Sequence, residues 1–495
     1  MKTISKFSRF LICSILILGY QSKCMAMKTE VGGIIYEFDG YEAWVIGATD
    51  YAKEYLRHLN IPNIVHFTYL GNDWSLEVSS IEEYALLGCS FETAFINAAH
   101  IKKNACIRAD EITFGDNVCR IEEASCTAYH KITFGKNIEY IGKRAFLGSG
   151  CGSVDEPLEP AEITIETQCD SIVIDEFAFM NCGFSSITLG KSVRMRDFSF
   201  CQCPNLTSVT MKDGIKRISL CAFYGCENLE SVVIPNTVTY IDMISFSMTS
   251  LRELFIPESV THIGLGAFSA CSNLESIIVA PLNRVYDSRN DCNAIIETST
   301  NTLHTGCNST VIPNTVTTIG ASAFHMSGLE SIQIPNSVTT IGAKAFQSCK
   351  NLTKVQFGRS VKTIEASAFN ACEWLDEVIC LNPEPPDCAD VSVFAKDLQS
   401  EANDEPYYIG LFVPKGSIQR YLSHYVWDHF KYIAEKDFSA LYSDVNEDGE
   451  VSIADVTYLI DCILNSDHNS LLDVNCDGEV NIADVTKLID VILKG

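Results

Sequence analysis

Residues 331–352 read SIQIPNSVTTIGAKAFQSCKNL, and most of the chain between about Glu111 and Trp374 repeats this frame with different surface residues. The frame is a short alternating strand (Ile332, Ile334), a Pro-Asn turn, a second alternating strand (Val338, Ile341) ending on Gly342, then Ala345, Phe346 and Cys349. One such unit cannot bury its own apolar face, so the frame implies a stack of units.

The period is carried by a phenylalanine that recurs as Phe200, Phe223, Phe246, Phe268, Phe324, Phe346 and Phe369, in steps of 22 or 23 residues except across one insertion. Fixed inward positions for Ile, Val, Ala and Phe stack into continuous apolar columns, with parallel strands roughly 4.8 Å apart along the axis. The predicted fold is therefore a β-rich repeat solenoid with short helical turns. The frame resembles the BspA-like leucine-rich repeats of bacterial surface proteins, L-x-S-I-x-I-P-x-S-V-T-x-I-G-x-x-A-F-x-x-C. Six coils match it closely, over roughly half the chain. The resemblance implies adhesion to host matrix proteins or to other bacteria.

A chain of 495 residues exceeds the usual size of one domain, but a solenoid grows by adding coils and needs no single large core. The net charge of -27 argues against a nucleic-acid partner, since neutralising phosphates needs clustered Lys and Arg. At the start, Lys2, Lys6 and Arg9 precede an apolar run from Phe10 to Leu18 and a small-residue exit at Ala26. This pattern reads as a secretory signal peptide over residues 1–26, too short to span a membrane. A competing reading makes Cys24 a lipid-modified first residue, for which Ser22-Lys23 is a poor lead-in. No other run approaches membrane length, so an exported protein, retained at the bacterial surface by a partner, is expected.

Residues 27–110 read as an N-terminal cap with degenerate repeats, 111–375 as the solenoid, and 376–436 as a C-terminal cap. A Gly- and Pro-containing excursion, Gly148 to Pro160, is expected as a surface loop. In the C-terminal cap, Leu411 to Pro414 reads as the last strand, and Ser417 to Ile433 as an amphipathic helix with Tyr421, Trp427 and Phe430 turned inward.

The 22 cysteines permit a disulfide framework or a ladder of buried thiols. Cys203 and Cys226, and likewise Cys349 and Cys372, hold the same slot of consecutive coils, which favours the ladder. The insertion, near residues 281–310, differs: Ile295 to Thr298 and Leu303 to Thr305 read as a β-hairpin flanked by Cys292 and Cys307, the candidate disulfide. This hairpin either projects as a binding element or covers part of the sheet. The outward position between the two buried strand residues is Val233, Phe255 and Ile278 in three adjacent coils and Gln333 and Gln356 further on. An exposed apolar stripe marks a contact surface, unless the hairpin folds over it.

The last segment, 437–495, changes chemistry. Asp444 opens DVNEDGEVSIADVTYLIDCIL and Asp473 opens DVNCDGEVNIADVTKLIDVIL, matching at 17 of 21 positions with an offset of 29. Each loop has oxygen ligands at positions 1, 3, 5, 9 and 12 and glycine at 6 for the sharp turn. These are Asp444, Asn446, Asp448, Ser452 and Asp455 with the carbonyl of Glu450, then Asp473, Asn475, Asp477, Asn481 and Asp484 with the carbonyl of Glu479. Position 9 can act through a water. The spacing implies two calcium ions, because calcium accepts six to eight oxygens in flexible geometry. From Asp444 onward, twelve acids oppose two lysines, so folding is expected to be coupled to metal binding.

The pair resembles a type I dockerin. Position 12 is Asp, and no entering helix precedes the first loop, whereas exiting helices are expected at Ile453 to Leu464 and Ile482 to Leu493. The resemblance implies binding to a cohesin on a scaffold or cell surface, in either of two orientations. That family's recognition pair at positions 10 and 11 is often Ser-Thr; here it is Ile453-Ala454 and Ile482-Ala483, which implies an apolar docking surface.

No GxSxG, HExxH or phosphate-binding glycine loop occurs, and the ten histidines are scattered, so a noncatalytic protein is expected. The leading expectation is a secreted or cell-surface interaction protein: a ligand-binding solenoid attached through a calcium-dependent dockerin to a cohesin-like or other surface protein. Host matrix protein, bacterial surface or glycan are the candidate solenoid ligands. The alternative is a carbohydrate-binding or accessory subunit of a polysaccharide-degrading complex.

Overall fold

A computed structural model describes residues 26–149, 162–395, 407–438, 442–446, 451–465, 472–475 and 479–494. The expected signal peptide apart from Ala26, most of the Gly148–Pro160 excursion, and Asp448, Glu450 and Asp477 lie outside the described residues.

The chain winds as a β-solenoid of about 14 turns. In the coil that opens with Ser331, the first strand is Ser331–Gln333 and the second is Thr340–Ile341. Each pairs in parallel with its equivalent in the next coil, Ile332 with Val355 and Ile341 with Ile364. Alternation sends Ile332 and Ile341 inward, where both are buried, and leaves Gln333 exposed. The phenylalanines form a column of nearly parallel rings. Phe179, Phe200, Phe223, Phe246 and Phe268 follow one another at centroid separations of 5.2–5.5 Å, and Phe324, Phe346 and Phe369 at 4.8 and 4.9 Å. Offset stacking of this kind adds to the gain from burial.

The short turn around Ala345-Phe346 holds i to i+3 bonds, Ala345 N–H to Gly342 O at 3.2 Å and Cys349 N–H to Phe346 O at 3.2 Å. It does not propagate into a helix because Lys344 and Ser348, two residues on either side of the ring, are left-handed, with φ of 59° and 58°. The same two positions are left-handed in coil after coil, at Phe198 and Gln202, Cys221 and Gly225, Ile244 and Met248. Each non-glycine costs about 1 kcal/mol in this conformation. In return the N–H groups of residues 344, 346 and 348 all point along the axis and reach the carbonyls of Ala366, Ala368 and Asn370 at 2.8–3.0 Å. The turns therefore form a third hydrogen-bonded ladder, beside the two sheets.

The repeat cysteines are buried free thiols. Each donates its S–H to the phenylalanine carbonyl of the preceding coil: Cys182 to Phe146, Cys203 to Phe179, Cys226 to Phe200, Cys349 to Phe324 and Cys372 to Phe346, at 3.0–3.2 Å. The slot requires a side chain small enough for the core that can also supply one weak donor, which thiol satisfies. Cys292 and Cys307, the expected disulfide, are also both free. The hairpin register places Ala294 opposite Gly306, so Cys307 falls opposite Asn293, and its S–H reaches Asn293 O at 3.3 Å. Cys292 is one residue out of step and faces the other half of the core.

That hairpin, Ala294–Glu297 with Thr302–Gly306, does not project. Its second strand pairs in parallel with Thr318–Ile319 and continues the second sheet. Ala294, Ile295 and Ile296 are all fully buried, Ile295 in the N-terminal half of the core and Ala294 and Ile296 in the C-terminal half. The insertion is thus a partition built into the stack.

At the N-terminal end, antiparallel strands Met27–Val31, Ile34–Phe38 and Glu42–Ala48 close the stack, with Phe38 buried under Phe67, Tyr69 and Trp74. At the other end the expected helix over Ser417 to Ile433 is corrected. Helix spans only Ile418–Leu422, a 3-10 turn covers Trp427–His429, and Phe430–Lys436 is a strand parallel to Tyr407–Pro414. The first sheet therefore gains one more strand than Leu411 to Pro414 implied. In this last strand Phe430 is buried, Ile433 is half-buried and the other residues are exposed, as suits an edge strand. Tyr421, Trp427 and Phe430 do point inward, and the Trp427 indole N–H donates to Pro386 O at 2.7 Å. Among the described residues, no helix is long and apolar enough to cross a membrane.

Candidate functional site

The C-terminal module consists of two helices, Ile453–Leu464 and Ile482–Lys494, each leaving an acidic loop. Ser452 caps the first, its hydroxyl accepting the Ala454 N–H at 3.1 Å, and Asn481 caps the second through the Ala483 N–H at 2.8 Å. Both position-9 oxygens are thereby engaged, which leaves them suited to meet a metal through water. Asp455 and Asp484, at position 12, are fully buried. One oxygen of Asp455 accepts the N–H of Val445 (2.8 Å) and Asn446 (3.1 Å), and the other that of Ser452 (2.8 Å). Asp484 does the same with Asn475 (3.1 Å) and Asn481 (2.8 Å).

Each loop is thus drawn shut around its last carboxylate. Position 1 is held by Asp444 and by Asp473, which is buried, and position 3 by Asn446 and Asn475. Among the described residues, neither Asp455 nor Asp484 forms an ion pair with lysine or arginine, and no three carboxylate, thiol or imidazole groups converge. Among the described residues, two buried carboxylates met by neutral N–H groups, beside further oxygen donors, fit a hard divalent cation. Asp448, Glu450 and Asp477, outside the described residues, would complete the ligand sets, together with the Glu479 carbonyl.

Inward-facing Val456, Leu459, Val485 and Leu488 join the helices. Ile453 and Ile482, at the same place in the two halves, are 70% and 69% exposed, beside exposed Ala454 and Ala483.

The second candidate lies on the first sheet of the solenoid. Val233, Phe255 and Ile278 are 56%, 53% and 53% exposed, with Phe255 and Ile278 in register on neighbouring strands. The hairpin does not cover them, so the stripe is open. It extends further than the row of three suggested: Ser309-Thr310-Val311-Ile312-Pro313-Asn314 matches Ser331 to Asn336, and Val311, the outward residue, is exposed. The next two places are Gln333 and Gln356, which line a groove of about 500 Å³ with Val311, Leu381 and Asp444 of the first acidic loop.

A family model for the BspA type leucine-rich repeat region, in 6 copies, matches residues 72–172, 172–290 and 297–387. The chain belongs to the BspA-type leucine-rich repeat family. Residues 442–493 match the type I dockerin domain. Type I dockerins generally bind calcium and imply cohesin partners, and both families are in general noncatalytic interaction modules, typically extracellular or surface-associated. A comparison with curated proteins found no match. Similar solved structures include a leucine-rich cell surface protein from Faecalibacterium prausnitzii (20% identity, TM-score 0.44, covering 83% of this chain and 95% of that one). A leucine-rich repeat protein from Bacteroides ovatus has 19% identity and a TM-score of 0.47, covering 83% and 100%. The pneumococcal vaccine antigen PcpA has 15% identity and a TM-score of 0.38, covering 83% and 99%.

The dockerin domain is seated on the repeat solenoid. Ile379, on the strand Glu377–Cys380 of the first sheet, and Leu381 just after it are buried in one cluster with Phe438, Tyr442, Val445, Leu472 and Val474. Tyr442 donates its hydroxyl proton to Leu381 O at 2.9 Å. Ile379 occupies the outward place that Gln333 and Gln356 hold in earlier coils, so an apolar residue there marked the seat in the sequence.

Proposed function

We propose that this protein is a secreted or cell-surface noncatalytic interaction protein, whose solenoid binds a ligand and whose dockerin fastens it, in calcium, to a cohesin-type partner. Two calcium ions are held by Asp444, Asn446, Asp448, the Glu450 carbonyl, Ser452 and Asp455, and by Asp473, Asn475, Asp477, the Glu479 carbonyl, Asn481 and Asp484. The partner meets the apolar pair Ile453-Ala454 or Ile482-Ala483. The observation that carries this reading is the exposed apolar set Val233, Phe255, Ile278 and Val311, with Phe255 and Ile278 in register on paired strands, in a chain that carries a dockerin. A contiguous exposed apolar row is what a protein contact uses.

The expected ligand is a host matrix protein or a bacterial surface. The test is binding of the full chain to a matrix-protein panel and a glycan panel, with Phe255→Asp as control. Retention on matrix proteins that falls at least about tenfold in the variant supports the reading. Retention on glycans alone defeats it in favour of an accessory subunit of a polysaccharide-degrading complex. For the dockerin, capture of a cohesin-bearing protein from the envelope in calcium but not in EGTA is expected, and its loss in Ile453→Asp with Ile482→Asp.

A further inference from the structure

Arg359 is the one lysine or arginine that is buried among the described residues, at 9% exposure. In neighbouring coils the turn after the first strand carries asparagine, as in Pro335-Asn336; here it is Gly358-Arg359. The backbone N–H of Arg359 keeps the ordinary role of the turn, donating to the Asn336 side chain at 2.9 Å. Its guanidinium leaves the solenoid. It lies 4.2 Å over the ring of Tyr442 and donates from Nη2 to the backbone carbonyl of Asp473 at 2.8 Å. Asp473 is position 1 of the second calcium loop.

A buried guanidinium is costly unless its protons and charge are met. Here a folded, acidic dockerin loop and an aromatic face are brought to it. An interaction of this kind exists solely in the folded module. Resting on the calcium reading above, we infer that Arg359 is a positioning residue for the second calcium loop, so that seating on the solenoid and calcium binding at that loop reinforce one another. The reciprocity is thermodynamic: whatever calcium adds to seating, seating adds to calcium affinity. The Asp473 backbone carbonyl that Arg359 holds is not one of the expected ligand atoms, so this bond organises the loop without taking a donor from the metal. Asp444 of the first loop instead lines the Gln333–Gln356 groove, so the solenoid offers different chemistry to two loops that are near-identical in sequence.

The test is calorimetric titration of calcium into the full chain, wild type and Arg359→Ala, with small-angle scattering of both in calcium and in EGTA. The expected result is two sites in the wild type, of which one weakens roughly tenfold in Arg359→Ala, the scale of a lost charge-assisted hydrogen bond, while the other stays within about twofold. Scattering should show the calcium-loaded variant more extended than the calcium-loaded wild type. Unchanged affinities at both sites, or a site tightened by removing the positive charge, overturns the inference while leaving the dockerin intact. A wild-type chain that takes up no calcium overturns the calcium reading itself. An unaltered far-UV spectrum of the variant's β-rich solenoid separates either result from simple misfolding.

Discussion

Gly306 occupies the phenylalanine place of the partitioning hairpin. Its N–H reaches Ala323 O at 2.9 Å, as the N–H of Phe200 reaches Ala222 O at 2.9 Å. The side chain it lacks is replaced by the ring of Phe324, which is 1% exposed and stacked 4.8 Å from Phe346. A Cβ at 306 would fall inside that ring, with Cδ1 at 2.8 Å and Cε1 and Cζ closer still. Ordinary carbon contacts are about 3.5–4.0 Å, so either the ring leaves its rotamer or the strand withdraws. Overpacking of this kind costs about 1–3 kcal/mol, and loosening the buried backbone bond about 1 more. Alanine also gains about 0.4–1 kcal/mol by restricting the unfolded chain, since φ at Gly306 is not positive. Gly306→Ala should therefore destabilise by about 2–3 kcal/mol. Phe324→Ala alone should cost about 3–5 kcal/mol through its cavity. In the double variant the methyl introduced at position 306 sits in that cavity, so the combined loss should fall short of the sum by at least about 1 kcal/mol. Equilibrium urea unfolding of the full chain in excess calcium measures all three. A wild-type midpoint for Gly306→Ala, or strict additivity, would refute the partition.

Calorimetry of Asp444→Ala with Asp473→Ala should show calcium uptake lost, whereas two retained sites would exclude these loops. Burial pushes the thiols of Cys271 and Cys349 up to about 11 and those of Cys126 and Cys380 to about 12, from an ordinary 9.0. They should resist a thiol reagent at pH 8 until the chain is unfolded. Because the unfolded thiols ionise first, stability should be full below about pH 9 and fall as pH rises towards 11–12, by up to about 1.4 kcal/mol per unit per thiol. A flat stability profile over that range would contradict the thiol burial. Trp427→Ala, which removes a fully buried indole and its bond to Pro386, should cost about 3–5 kcal/mol, read as a lowered unfolding midpoint.

The coils were legible because each slot is written many times: inward Ile332 and Ile341 and the Phe346 ring recur at constant spacing, and the Cys349 thiol recurs in most coils, with Thr249 or Ser327 in its place in others. The two acidic loops were legible because the oxygen donors of each lie within twelve residues of one another. The helix expected over Ser417 to Ile433 failed because Tyr421, Trp427 and Phe430 share one interior without sharing one helix. The Cys292–Cys307 bridge failed because symmetric flanking says nothing of register, and one residue of offset sends the two side chains to opposite sides. Val311 and Ile379 were present in the row but hidden, the first by the insertion before it and the second by the cap after it.

Sequence by itself determined the repeat, its inward columns, the thiol ladder and the two acidic loops, since local spacing and period decide these. Tertiary structure alone decided that the hairpin divides the core, that the residues Val233, Phe255, Ile278 and Val311 stay exposed, and that Arg359 reaches an acidic loop 114 residues away. The physical reason is that burial and long-range pairing depend on what other segments bring to a side chain, and a single unrepeated contact leaves no period to read.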